Sequence, residues 1–273
     1  MELLRVEEVH LTYPPRFRRQ DGGSLDSDGG DDGLDDGAVE EGEGEAPEVS
    51  GRRVGRDQPT VALRGVSLTV GGGESVGLLG AVGSGRSTLL SLIGGMLRPD
   101  EGRVLVRGTV TGLMAGGAGF FGDLSVRKNI VRNAMLMGIP HDRATALAPQ
   151  IAAFAEMEET LDTPVRELSR MQSRALGYAI ALHAEPTVFL GDEELAVGSP
   201  AVKQAGLELL AAKASEDHAL VIATNKPDLL KRLCSRGVVL DNGTVSFDGP
   251  LAEALRFFRR GPRHEEGTDP ADE

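Results

Sequence analysis

The chain of 273 residues has room for one large domain or two small ones, and with 4% aromatic residues and no tryptophan its core must rest on Leu, Val, Ile and Ala. Its single cysteine, Cys234, excludes an internal disulfide and fits a reducing compartment. The net charge of −13 is local to one stretch and does not by itself decide the partner, although no nucleic acid is expected; no apolar run approaches the roughly 18 residues of a membrane span, so a cytoplasmic chain without its own span is expected.

Residues 3–13 alternate like a strand. Seven Asp, five Glu, eight Gly and no Lys or Arg follow between Asp21 and Glu48, and they carry nearly all of the excess charge. Such a stretch cannot bury enough apolar surface to order itself, so 17–58 reads as a disordered, solvated acidic insert. The strand pattern resumes over 61–70, Gly71-Gly72-Gly73 makes a turn, and 74–79 is a short, nearly all-apolar strand suited to a buried parallel sheet. A helix is predicted over 87–96, ending near Pro99, with strands over 103–106 and 109–114. From 125 to 183 the texture is helical, which suggests an inserted helical subdomain at about 116–184. Strand signals return at 187–190 and 220–224, and 238–245 carries a hairpin turn at Asp241-Asn242-Gly243. A last helix over 251–260 precedes a disordered polar tail at 261–273. The pattern is an α/β domain over 1–260, with an antiparallel β portion and a helical insertion.

Between the strand at 74–79 and the helix after it lies Gly80-Ala81-Val82-Gly83-Ser84-Gly85-Arg86-Ser87. Glycines let backbone N–H groups converge on a phosphate, the helix directs its positive end at the same point, and Ser87 stands where a hydroxyl would hold Mg²⁺. The loop implies a nucleotide such as ATP, with Gly80, Gly83, Ser84, Gly85, Arg86, Ser87 and Thr88 as binding residues. One position departs from the pattern: Arg86 stands where lysine should reach the β- and γ-phosphates, and a planar guanidinium is no neutral replacement there. The strand near 188–191 ends in Asp192-Glu193, the first placed to hold Mg²⁺ and the second to orient or deprotonate attacking water. A phosphate loop alone leaves kinases, GTPases and many ATPases open.

Leu168-Ser169-Arg170-Met171-Gln172, opening a helix upstream of the acidic pair, resembles the signature Leu-Ser-Gly-Gly-Gln of the ABC ATPases. The segment from Gly117 to Ile130 and the run Asp192-Glu193-Glu194-Leu195-Ala196-Val197-Gly198 narrow the resemblance to ATP-binding subunits of ABC-2-type exporters of O-antigen, teichoic acid and other cell-envelope polysaccharides. It covers nearly the whole chain outside 17–58 and the tail. It implies a P-loop (RecA-like) ABC ATPase core, ATP and Mg²⁺ as cofactors, and a membrane permease as partner at the inner face of the membrane. It also implies a head-to-tail homodimer, or a heterodimer with another ABC ATPase, in which Ser169 and Gln172 reach the nucleotide held by the opposite subunit. Tyr13 would stack on adenine. No appended glycan-recognition domain is expected after about residue 250.

Departures from that family pattern gather at the site. Arg170 and Met171 replace the two signature glycines, Asn225 stands at the switch-histidine position, a glutamine is missing near Gly116, and Ser199 replaces an aspartate. Asparagine can hydrogen-bond but cannot carry a proton or a charge. With Asp192 and Glu193 kept, the expectation is a site that holds nucleotide and hydrolyses it weakly. A hydrolysis-deficient regulatory or scaffold subunit, paired with a more active ATPase, is the alternative. A DNA-repair or translation ABC protein would need coiled-coil insertions or tandem ATPase domains, and an unrelated kinase would make the signature accidental. His10, His141, His183, His218 and His264 show no metal-ligand spacing and read as structural or solvated, and Phe257-Phe258 reads as packing a terminal helix onto the sheet.

Overall fold

The computed structural model describes residues 1–14, 58–113, 119–192, 197–214 and 218–261. All of the expected insert except Gln58, together with Gly116, Glu193 and residues 262–273 of the tail, lies outside the described residues. The chain divides into two units, Tyr13–Thr60 and a larger one made of Met1–Thr12 and Val61–Glu273. The clusters of buried apolar residues belong to the larger unit.

Two sheets carry the fold. β1 (Glu2–Tyr13), β2 (Thr60–Gly71) and β4 (Glu101–Val106) form a three-stranded sheet in the order β2-β1-β4, with β1 and β4 antiparallel. Its register shifts between Glu7 and His10, where Glu8 takes a φ of 45° and a Cβ on Gly102 would run into the Glu7 and Glu8 carbonyl oxygens.

The second sheet has six strands. β3 (Ser75–Leu79), β5 (Val110–Leu113), β6 (Val188–Gly191), β7 (Ala219–Ala223), β8 (Arg236–Asp241) and β9 (Thr244–Pro250) lie in the order β5-β6-β7-β3-β8-β9. All neighbours are parallel except the β8–β9 hairpin. Every residue of β3, β6 and β7 is buried, as a parallel sheet covered on both faces requires. Successive side chains serve opposite layers. Val188, Leu190, Val221 and Ala223 join the core shared with the antiparallel sheet and α1 (Arg86–Ile93), while Phe189, Leu220 and Ile222 join the core on the far side.

That far-side core also takes residues of α5 (Pro200–Ala214), α6 (Pro227–Leu233) and α7 (Leu251–Arg260). Phe257 and Phe258 pack against it, with Phe257 stacked on Phe247 at 5.3 Å between ring centroids, as the sequence suggests. A third cluster belongs to α2 (Val126–Leu136), α3 (His141–Phe154) and α4 (Arg170–His183), built around Ile130, Ile151, Leu176 and Ile180.

The structure corrects two readings of the sequence. α1 stops at Ile93 instead of running to Met96, because Gly94 caps it by donating to the Leu90 carbonyl oxygen and Gly95 takes a φ of 70°. α5 and α6 were not anticipated, although each begins on proline, a residue suited to the first helical position. No helix among the described residues is long and apolar enough to cross a membrane.

Candidate phosphate-binding site

Parallel pairing assembles the site. Leu78 of β3 lies opposite Ala223 of β7, and Gly191 of β6 lies opposite Ile222, so the carboxyl ends of three adjacent strands emerge together. Ligands of open α/β sheets sit beyond such ends. β3 runs into the glycine loop, β7 into Thr224 and Asn225, and β6 into Asp192.

The loop is fixed by close packing. Gly83 and Gly85 have φ values of 87° and 102°, which side-chain-bearing residues rarely adopt. A Cβ on Gly80 would collide with Ser84 Oγ and approach the Leu240 carbonyl oxygen to 2.6 Å, and one on Gly85 would sit 2.7 Å from the Ala62 carbonyl oxygen. The hairpin turn between β8 and β9 braces the loop from below: the Gly243 N–H donates to the Ser84 carbonyl oxygen at 3.1 Å, and the Arg64 N–H donates to the Gly243 carbonyl oxygen at 2.8 Å. The Asn242-Gly243 turn is legible in the sequence, but its role under the loop is not.

Gly85 caps α1 without a side-chain bond, and the first turn of α1 holds no acidic residue. The first N–H groups of a helix have no partner within it and carry its positive end. Ser87 is exposed at that end, and Thr88 is half-buried beside it. The cradle therefore fits a phosphate chain: Gly80 and Gly85 let the loop pack tightly, a Cβ on Gly83 would meet nothing within 4 Å, and Ser87 is exposed at the helix start. Ser87, together with Asp192 at the β6 end, supplies the hard oxygen donors a Mg²⁺ ion takes.

Arg86 is folded into the site and only 9% exposed. Its Nη1 donates to Asn225 Oδ1 at 3.1 Å, and Asn225 Nδ2 donates to the Gly80 carbonyl oxygen at 2.9 Å. Two residues that depart from the pattern are thus bonded to each other, 139 positions apart in the chain.

The signature-like segment is elsewhere in the chain and self-contained. Ser169 caps α4: its Oγ accepts from the Gln172 N–H at 3.2 Å, and Gln172 Oε1 accepts from the Ser169 N–H at 2.9 Å. Arg170 and Met171 are exposed, Met171 to 60%. Tyr13, exposed at the close of β1, belongs to the separate Tyr13–Thr60 unit, and Glu193 is outside the described residues.

Two residues have local work that the sequence did not reveal. Ser199 Oγ donates to Glu156 Oε1 at 2.8 Å and accepts from the Val202 N–H at 3.2 Å, capping α5 and tying it to the segment after α3. Asn129, fully buried in α2, donates to the Phe121, Leu124 and Ser125 carbonyl oxygens and accepts from the Phe121 N–H, which knots the 121–125 loop onto the helix. The buried Cys234 thiol is pushed up to about 12 by loss of water, which leaves it unreactive.

Comparison with known proteins agrees with this geometry. The ABC transporter family profile matches residues 63–196. The O-antigen export system ATP-binding protein RfbB of Myxococcus xanthus is 34% identical over 77% of this chain and 48% of its own length. The ABC transporter protein AbcA of Aeromonas salmonicida is 33% identical over 77% of this chain and 68% of its own. The teichoic acids export ATP-binding protein TagH of Levilactobacillus brevis is 32% identical over 72% of this chain and 55% of its own. The chain spans about half the length of the first and third of these relatives. Among solved structures, an ATP-binding subunit of an ABC transporter superposes with a TM-score of 0.67 at 19% identity over 95% of both chains. A dimeric ATP-binding cassette holding ADP and phosphate superposes with a TM-score of 0.65 at 18% identity, over 91% of this chain and 99% of that one.

Proposed function

This chain belongs to the ABC transporter ATP-binding family, and from that premise we propose that it couples ATP binding to export of a cell-envelope polysaccharide through a partner permease. The observation that carries the nucleotide part is the glycine loop set between β3 and α1, with the ends of β6 and β7 beside it. The polysaccharide part rests on the export systems to which the sequence is similar. Under this reading the chain sits at the inner face of the membrane, held there by the permease.

In the proposed complex the N–H groups at the loop and the α1 start hold the phosphates. Ser87 and Asp192 hold Mg²⁺, which when bound neutralises charge on the β- and γ-phosphates. Glu193 orients the attacking water, Tyr13 stacks on adenine, and a second subunit brings Ser169 and Gln172 to the γ-phosphate. That subunit is a second copy or another ABC ATPase.

A second reading, in which this subunit binds nucleotide but hydrolyses it poorly, is favoured by the Arg86–Asn225 bond and by the exposed Arg170 and Met171. Asn225 offers no positive charge to a γ-phosphate, and removing one well-placed transition-state contact costs on the order of 10²–10³ in rate. Equilibrium binding of Mg-ATP, followed by turnover, tests both readings on the native chain and the Arg86→Lys variant. Binding with very slow turnover is expected of the native chain. Turnover by the native chain at a rate ordinary for ABC ATPases would remove the second reading, and absence of binding by both proteins would remove both.

A further inference from the structure

Arg86 of the loop and Asn225, two residues past β7, both depart from the family pattern and touch, which calls for one account of both. We infer that Asn225 is a positioning residue for the Arg86 guanidinium, and that the two act as one unit that sets where the loop's cation meets nucleotide phosphate. This rests on the reading of the loop as a nucleotide site.

Asn225 joins both ends of the loop, accepting from Arg86 at one end and donating to the Gly80 carbonyl oxygen at the other. Its primary amide presents an acceptor and a donor on one rigid plane, so it serves both partners at once. Aspartate would keep the acceptor and lose the donor. A protonated histidine would lose the acceptor. The guanidinium is itself planar, so an edge held by hydrogen bonding fixes the direction of the whole group, whereas a lysine ammonium is a point charge on a flexible stem.

Burial reinforces this role, because an arginine only 9% exposed cannot choose its orientation by reaching into solvent. Its place at the first position of α1 adds a second constraint. A cation at a helix N-terminus is repelled by the helix dipole, and an arriving phosphate relieves that repulsion. Asn225 brings only a dipole to the contact, so it orients the cation without neutralising it. Its position follows from the sheet: β7 lies beside β3 in parallel, so the residue two past Ala223 falls at the loop.

A double-mutant cycle on the full chain tests this, using Asn225→Ala, Arg86→Lys and the double variant with Mg-ATP and Mg-ADP as probes. Asn225→Ala is expected to weaken binding about tenfold when residue 86 is arginine and less than about twofold when it is lysine, because only the fork depends on the amide. Asn225→Asp, an alternative should the alanine variant fold poorly, keeps the bond to Arg86 but neutralises the cation. It is expected to weaken Mg-ATP at least as much. A purely structural role for Asn225, bracing Gly80 alone, would weaken both backgrounds equally, and that additive result would overturn the inference while leaving the nucleotide reading standing. Binding by Arg86→Lys without binding by the native chain would also overturn it, since the pair would then bar the phosphate. No binding by any of the proteins would overturn the nucleotide reading and the inference with it.

Discussion

Removing the Ser84 hydroxyl should make the nucleotide-free protein more stable. Ser84 is 4% exposed, and its Oγ has no hydrogen-bond partner among the described residues. The backbone at this position is fully used, donating to the Ala81 carbonyl oxygen and accepting from the Gly243 N–H, both at 3.1 Å. Ser84→Ala therefore deletes one oxygen and disturbs no bond in the loop. Burying an unpartnered hydroxyl costs about 1–3 kcal/mol by protein mutational measures. Deleting the atom forfeits a few packing contacts worth about 0.1–0.2 kcal/mol each, because Oγ fills the space a Gly80 side chain would take. The net expectation is a gain of about 1 kcal/mol, or a rise in Tm of about 2–4 °C for a domain of this size. Scanning calorimetry on the nucleotide-free native and variant proteins, supported by urea midpoints, measures it. A fall in Tm of about 2 °C or more would refute the reasoning, because it would show that the hydroxyl is bonded in solution.

Three other outcomes follow from the described contacts. Gly85→Ala meets both an unfavourable φ and a Cβ held 2.7 Å from the Ala62 carbonyl oxygen and from Leu63 Cδ2, so denaturant midpoints should show a loss of about 2–5 kcal/mol. Arg236→Met removes a two-pronged pair to Asp248, with both bonds at 2.6 Å, and a bond to the Thr69 carbonyl oxygen; being partly exposed, it should cost about 1–2 kcal/mol in urea unfolding. Burial holds the His183 imidazole below its ordinary 6.5, against an opposing bond to the Ala179 carbonyl oxygen. The unfolded chain then takes up the proton first, so stability is full above that value and declines as pH falls through and below it. Between about pH 7.5 and 5.5 the Tm of the native protein should fall more steeply than that of His183→Phe. Parallel slopes would show that another group carries the pH dependence.

Sheet strands and the phosphate loop were legible because each carries its own local code. The all-apolar β3, the glycine spacing after it and the Asn242-Gly243 turn declare themselves without tertiary context. α5 is not legible because its apolar residues are diluted by alanines and its buried contacts, such as Val202 and Leu210, depend on the far-side core. Its entry signal was nonetheless present in Ser199-Pro200, a capping serine followed by a proline. From the sequence Ser199 reads as a lost aspartate, and its bond to Glu156 has no signature in spacing. The Arg86–Asn225 contact is invisible in the sequence for a stronger reason: both residues depart from the family pattern, but only the parallel neighbours β3 and β7 bring them together.

The reciprocal bonds between Ser169 and Gln172 bear on how this subunit would meet another. Because the first turn of α4 is fastened by its own side chains, its conformation exists before any contact is made. Association at that end then draws little on ordering of the backbone, and the discriminating features are the projecting Arg170 and Met171. In a dimer of the kind proposed above, a partner fitted to a bare glycine turn would meet the exposed Arg170 and Met171 in its place. Selectivity among subunits could thus be written at the tip of one helix, independently of whether the phosphate loop is filled.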